Sequence, residues 1–451
     1  MSNSSLFDDF SEVSANEWKQ KIEADLKGLA YEKTLIWHSQ EGISVQPFYH
    51  KENSVTNSIQ KSKNGWQVGQ FIEVDFADKA NLRAFDSINN GAESIWFDIV
   101  SENIDFKVLL KAIELKSTDI HIHFQKVTAK NQLSILNFIQ NTKDVHCHFD
   151  CLGNLSKTGN WFLNENADFK FFTNLLENSR HNNITVDMGL YQNAGATIVQ
   201  QLAYAMAHAN EYLNQYFSNA SKVLFKVAVG SNYFFEIAKI RALRLLWATL
   251  ASEYELSEEC FIMVIPSKRN KTLYDYNVNM LRTSTECMSA VLGGADLVCN
   301  LPYDVLYHEP NDFGDRIALN QLLILKNESY FDKVDNAAEG AYYIESLTQE
   351  IAEKALELFK TIEASDGFLT QLKTGIIQAE IEKSALKEQK SFDDNDKVLI
   401  GVNKYQFAKD KMKAAMDVNT FAVKDFGKTQ IEPIVESRLA TAVEKKRLDD
   451  E

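Results

Sequence analysis

The chain has 451 residues, 45% hydrophobic and 24% charged, enough for one large core with extensions. A net charge of −16 excludes nucleic acid or an anionic membrane as the main partner, since both demand a basic face. No apolar run approaches the ~20 residues of a membrane span, and the opening MSNSSLFDDFSEVSANEW lacks a basic region followed by an apolar one, so a cytoplasmic protein is expected.

Residues 1–65 read as an N-terminal arm. Within it SANEWKQKIEADLKG is predicted helical: Ser14 is the N-cap, Glu17 completes a capping box, and Gly28 marks the stop. Phe7, Phe10, Trp18, Trp37, Phe48 and Tyr49 give the arm large apolar groups to place on its own barrel or on a partner. From residue 66 a short apolar strand followed by a helical segment recurs about every 30 residues. The strands are predicted at Trp66–Asp75, Glu93–Val100, Asp119–Gln125, Val145–Leu152, Ile184–Leu190, Lys222–Val229, Cys260–Ser267 and Ala295–Pro302. Helical spacing follows in ATIVQQLAYAMAHANEYLNQYF, FFEIAKIRALRLLWATLASEY and DRIALNQLLILKNESYF. Eight such units in one series predict a (β/α)₈ TIM barrel over residues 66–385. The alternative is an open doubly wound sheet, but no Gly-x-Gly-x-x-Gly turn follows the first strand. Beyond it, SLTQEIAEKALELFKTIEAS and IIQAEIEKSALKEQKSF read as a helical C-terminal extension. Residues 386–451 read as a linker and tail, and the end, SRLATAVEKKRLDDE, is expected to fray.

Strand alternation puts His121 and His123 on one face of the third strand, and His146 and His148 on one face of the fourth. Neighbouring strands bring four imidazoles together, as a metal site or as polar filling whose members hydrogen-bond one another. No Glu-x-x-His motif supports the metal. Cys147 points away from its flanking histidines, so a cysteine–histidine nucleophile is not expected. Cys147, Cys151, Cys260, Cys287 and Cys299 are odd in number and lie mostly in apolar runs, as buried thiols do. Asp75, Asp98, Asp150 and Asp187 end strands and either pair across the mouth or cap helices. Lys226 lies within a strand, where a lysine can form a Schiff base, with nothing nearby to support one.

Six stretches, in order, resemble the methylmalonyl-CoA mutase family: EWKQKIEADLKG…EGISVQPFY, QNAGATIVQQLAYAMAHANEYL, FFEIAKIRALRLLW, RTSTECMSAVLGGADLVCNLPYD, DNAAEGAYYIESLTQEI and LIGVNKY. The resemblance implies an acyl-CoA barrel, radical rearrangement through adenosylcobalamin, and a separate C-terminal cobalamin domain with an Asp-x-His-x-x-Gly motif. No such motif is present; Asp144 and His146 are followed by Phe149 in place of the glycine. Active barrels of the family carry a Tyr-His pair just before this Gln-x-Ala-Gly-Ala junction. Counting back from Gln192, Gly189 and Leu190 occupy those places, and neither side chain donates a hydrogen bond. Tyr191, next door, is expected to face the other way. The family's tyrosine- and arginine-bearing segment before the first strand is matched here by KENSVTNSIQKSK, which has neither, although NGWQVGQF keeps the tryptophan. The resemblance therefore implies a small, non-catalytic subunit of a heterodimer. A catalytic large subunit would bind adenosylcobalamin, with no cofactor on this chain and acyl-CoA binding here doubtful. The charged residues Lys239, Arg241 and Arg244 are expected to tie helix to barrel rather than hold a CoA phosphate. The rival readings are a catalytic barrel served by a separate cobalamin-binding chain, and a His-rich metal hydrolase.

Overall fold

The computed structural model describes residues 10–53, 59, 65–179, 183–216, 222–422 and 425–451. All eight predicted strands are present: β1 (Gln67–Val74), β2 (Ser94–Ile99), β3 (Asp119–Phe124), β4 (Val145–His148), β5 (Asn183–Asp187), β6 (Lys222–Val229), β7 (Phe261–Pro266) and β8 (Leu297–Cys299). They form one parallel sheet in the order β4-β3-β2-β1-β8-β7-β6-β5, curled into a nearly closed (β/α)₈ barrel.

Two helices, α1 (Ala15–Asp25) and α2 (Tyr31–Leu35), precede it. Around it run α3 (Ala77–Asn89), the single turn α4 (Phe106–Leu109), α5 (Gln132–Asn141), α6 (Cys151–Thr158), α7 (Glu165–Asn178), α8 (Gly189–Ala194), α9 (Ile198–Tyr216), α10 (Tyr233–Glu253), α11 (Val278–Gly293) and α12 (Asp312–Leu323). The extension holds α13 (Tyr342–Ala364), α14 (Gly367–Lys373), α15 (Ile376–Asp393) and α16 (Thr441–Asp449); the 385/386 junction falls inside α15.

Period-2 alternation makes two cores from each strand. Outward residues such as Ile72, Phe97, Ile122, Val186, Val227 and Val264 pack under the helices. Inward ones, Trp96, Leu224, Met263, Leu297 and Cys299, pack with Phe71, Phe261 and Ile265 along the axis.

No backbone ladder joins β4 to β5 among the described residues. Side chains close that seam. His148 Nδ1 lies 2.9 Å from Thr185 Oγ1, and Asp150 Oδ2 accepts from the Asp187 amide at 3.0 Å. Asp150 Oδ1 also accepts from Gly153 N at 2.7 Å, His208 Nε2 at 3.0 Å and Tyr212 Oη at 2.9 Å. A Cβ on residue 153 would lie 2.3 Å from this carboxylate, so glycine is required beside it.

Three sequence expectations are corrected. The fourth strand stops at His148 rather than Leu152, because Asp150 N-caps α6. The fifth stops at Asp187 rather than Leu190, because the Asp187 carboxylate accepts from Gly189 N at 3.1 Å as α8 begins. The C-terminal end does not fray. Glu444 is buried and accepts from the Leu273 amide at 2.6 Å and Arg438 at 2.6 Å. Glu451 accepts from the Met412 and Lys413 amides and from the Tyr274 hydroxyl.

The segment before α16 is a strap across the barrel's C-terminal face. Its amides donate to carbonyls in the loops and helices after β4, β5, β7 and β8: Ile434 to Ser156, Ser437 to Asn193, Leu439 to Arg269 and Asp417 to Tyr307, at 2.7–3.0 Å. The arm divides in two. Its hairpin, Trp37–His38 against Ser44–Val45, docks on the barrel. Glu41 accepts from the Ile198 and Val199 amides at the start of α9, at 2.9 and 3.0 Å, and Trp37 meets Phe235 edge-on. Helix α1 has the predicted capping box but no buried residue. Phe7 lies outside the described residues, as does most of KENSVTNSIQKSK.

Burial alone would raise the Asp150 carboxyl, but attraction to His208 and the His208, Asp187 and Gly153 hydrogen bonds hold it at about 2. This lies below the ordinary ~3.9, so its contribution is full above pH ~4 and is lost as pH falls through ~2. Asp150→Asn is expected to lower stability at pH 7 by about 3 kcal/mol. Urea midpoints of the variant should fall less steeply than wild type between pH ~4 and ~2.

Candidate functional site

Barrel chemistry is expected where the strands end in loops. On this face β6 raises Lys226 beside β5, and its Nζ meets Asp187 Oδ2 at 2.9 Å. Burial would lower the Lys226 ammonium, but Asp187 and Asp98 push its pKa well up. It is a charged ion-pair partner, not a Schiff-base amine. On β2 and β3, Asp98 accepts from His123 at 2.8 Å. Burial opposes the Asp98 charge, yet Lys226 and His123 hold its carboxyl well below the carboxylate range. Of the four strand-end aspartates, Asp150 caps a helix, Asp187 and Asp98 share Lys226, and Asp75 is exposed and caps nothing.

Gly189 and Leu190 lie on α8 rather than on a strand. The Asp187 carboxylate stands 3.1 Å from where a Cβ on residue 189 would begin. Leu190 is buried and, with His123, Gln125, Asp187 and Lys157, lines a mouth cavity of about 20 Å³, room for about one water. Tyr191 does turn away from the mouth, for a helical reason: its Oη reaches His208 Nδ1 at 3.0 Å inside the core.

Below the mouth the axis is filled. Trp96 is fully buried, stacked on His148 (4.8 Å, 10°) and His121 (5.4 Å, 15°). His121 stacks on His146 at 4.6 Å, and its Nδ1 lies 3.0 Å from His148 Nε2. Three of the four histidines thus meet, and His123 turns to Asp98 instead. The His121 and His148 nitrogens bond to each other, and the other His148 nitrogen to Thr185, whereas a metal needs lone pairs converging on one point. Among the described residues no group of three His, Cys, Asp or Glu is placed to hold a metal. Gly69 faces the same interior, where a Cβ would fall 2.5 Å from Leu297 Cδ1 and 2.6 Å from Cys299 Sγ.

A larger cavity of about 610 Å³ lies under the N-terminal hairpin, against the segments that follow β5, β6 and β7. Around it, Arg269 pairs with Glu388 at 2.6 Å, Lys397 also pairs with Glu388, and Glu236 pairs with the buried Lys239 at 2.5 Å. Lys239 also donates to Gln192, Gln201 and the Ala228 carbonyl. Arg241 binds Glu345, and Arg244 binds Asp296, Gly294 and Cys260. Lys239 and Arg244 tie α10 to the barrel, as the sequence suggests, whereas Arg241 ties α10 to α13 and Asn336. All five cysteines are buried and free; burial raises the Cys147 thiol to about 12, and Cys147 packs on the outer core, away from the histidines.

The sequence did not single out Trp96, although alternation from Asp98 puts it on the inner face. Nothing local marks His208 and Tyr212, because α9 is buried over most of its length and mixes polar with apolar residues.

Trp96→Ala is expected to cost about 3–5 kcal/mol, as for a large ring removed from a packed core. Equilibrium urea unfolding measures it. An unchanged midpoint would mean that the indole fills space the fold does not need.

A sequence profile described as methylmalonyl-CoA mutase matches residues 100–449. The chain is 35% identical over 492 residues to the methylmalonyl-CoA mutase small subunit of Porphyromonas gingivalis, covering 99% of this chain and 78% of that one. It is 27% identical over 445 residues to the small subunit of Streptomyces virginiae, covering 89% and 72%. With the human mitochondrial methylmalonyl-CoA mutase it shares 25% over 496 residues, covering 94% of this chain and 64% of that enzyme. The motifs, the barrel and these matches agree: the chain belongs to the methylmalonyl-CoA mutase family.

Proposed function

We propose that the chain is the non-catalytic small subunit of a heterodimeric, adenosylcobalamin-dependent methylmalonyl-CoA mutase. The catalytic large subunit holds the cofactor and interconverts methylmalonyl-CoA and succinyl-CoA. This chain keeps that partner folded and oriented. Residues 1–65 serve as the partner-contacting arm, 66–385 as the mutase-like barrel and 386–451 as linker and tail.

The observation that carries this reading is the filled axis beneath the strand ends. A thioester chain would need the space that Trp96, His121, His148 and Met263 occupy. A corrin would need the face that the strap crosses. Substrate polarisation needs donors aimed at the developing charge, and the Tyr-His positions carry Gly189 and Leu190. The mouth's polar groups are engaged with one another. The residues present do not fit adenosylcobalamin.

The arm supports the partner. An 11-residue helix without a buried face is marginal in water. A second chain laid on α1 supplies the missing packing, as obligate interfaces do.

The test is turnover. Purified chain with methylmalonyl-CoA and adenosylcobalamin is expected to form no succinyl-CoA. Co-expression with the cobalamin-binding large chain gives activity, and that chain alone melts at lower temperature. Succinyl-CoA formed by this chain with only a separate cobalamin-binding protein would overturn the reading. Amide exchange in Ala15–Asp25 is expected to slow at least about tenfold when the large chain is added.

A further inference from the structure

The aromatic rings of the arm do not stop at the arm. Trp18 on α1 meets Phe48 at 5.8 Å, and Phe48 is followed by Tyr49. Tyr49 packs on Tyr343 at 4.9 Å, and Tyr343 on Phe234 at 5.4 Å. The Tyr49 hydroxyl, held by the Gln46 amide at 3.1 Å, fixes the middle of the series. The rings come from three elements distant in sequence: the arm, the start of α10 and the start of α13. Trp18 is 54% exposed, Phe234 47% and Tyr342 43%. Rigid, half-exposed aromatics of this kind carry binding energy at protein interfaces.

Three carboxylates, Glu17, Glu52 and Glu350, stand at the edge of this surface, with Lys354 near Glu350. Glu17 lies beside Trp18 on α1, and Glu52 accepts from the Ala15 amide at 3.2 Å. Glu350 is close enough to add to burial in pushing the Tyr49 phenol up. On the arm, Lys21 is paired with Asp25 and Lys19 sits over Tyr31. A second copy would bring the same carboxylates to the contact and carry the same net charge of −16. The complementary occupant is an apolar patch rimmed by Lys and Arg.

We propose that Trp18, Phe48, Tyr49, Tyr343, Phe234 and Tyr342 form one docking surface joining arm to barrel, and that its occupant is a basic-rimmed apolar patch on the cobalamin-binding chain rather than a second copy. This rests on the heterodimer reading above and adds that the barrel corner, not only the arm, makes the contact.

The experiment is sedimentation velocity of the full chain with the purified cobalamin-binding mutase chain. Trp18→Ser/Phe234→Ser/Tyr342→Ser is expected to weaken association about 100-fold or more. Phe234→Ser/Tyr342→Ser, which leaves α1 intact, should weaken it in the same direction. Leu82→Ser/Leu133→Ser/Leu281→Ser, exposed residues on α3, α5 and α11, should leave it unchanged. Circular dichroism melts of all variants should match wild type, and association should weaken with added salt. Wild-type affinity in both aromatic variants would overturn this surface and leave the heterodimer standing. No association by the wild-type chain would overturn the heterodimer and this surface with it. A wild-type homodimer lost in the aromatic variants would overturn the choice of occupant.

Discussion

Asp150 stands where the sheet fails to pair with itself. Seven neighbouring strand pairs share ladders, and the eighth, β4 with β5, is joined by side chains. A carboxylate in that gap accepts from two backbone amides, an imidazole and a phenol. It caps α6, ends β5 and anchors two turns of α9 at once. A buried charge is tolerated only when its lone pairs are filled. The sequence around it follows from that need: Gly153 makes room for the carboxylate, and His208 and Tyr212, four apart on one helical face, reach it from the same side. Tyr191 extends the chain through His208 to α8, the helix that carries Gly189 and Leu190. The mouth is therefore built on a structural network that points inward.

The same economy governs the polar groups nearer the axis. Lys226, Asp187, Asp98 and His123 form one neutralising set at the top. Beneath it the imidazoles of His121, His146 and His148 stack with Trp96. A working site keeps some donors aimed at a place where no protein atom sits. In this barrel those directions already hold protein atoms, and a backbone strap lies across the face. These pairings hold the strand ends together.

Much of this was legible in the sequence. Apolar runs rich in β-branched residues located every strand, because a parallel strand buried on both faces has no other composition. The capping box at Ser14 and Glu17 and the structural role of the α10 charges were also readable. The errors fall where one side chain overrides an apolar run. Leu152 and Leu190 look like strand, yet Asp150 and Asp187 start helices before them. The docking of the last residues was invisible for a different reason. A charged tail reads as solvated, and only the fold reveals that Glu444 and Glu451 meet amides contributed by segments far away in sequence. The strap, the stack on Trp96 and the Asp150–His208–Tyr191 chain are likewise long-range arrangements with no local pattern to announce them.

The arm makes the case for a second chain on energetic grounds. Its hairpin is tied down by Glu41, whose two oxygens cap the start of α9, and by Trp37 against Phe235. Among the described residues, helix α1 is held only by the Trp18–Phe48 contact, one capping box, the Ala15–Glu52 hydrogen bond and Lys19 over the Tyr31 ring, and it leaves Trp18 half in water. A cap contributes about 1 kcal/mol, and ordering 11 backbone residues costs about 1–2 kcal/mol each. Intrahelical bonding offsets part of that cost, but helices of this length hold only marginally without tertiary packing. The chain's own barrel does not supply that packing. In the heterodimer proposed above, the partner chain completes α1 and covers Phe234 and Tyr342.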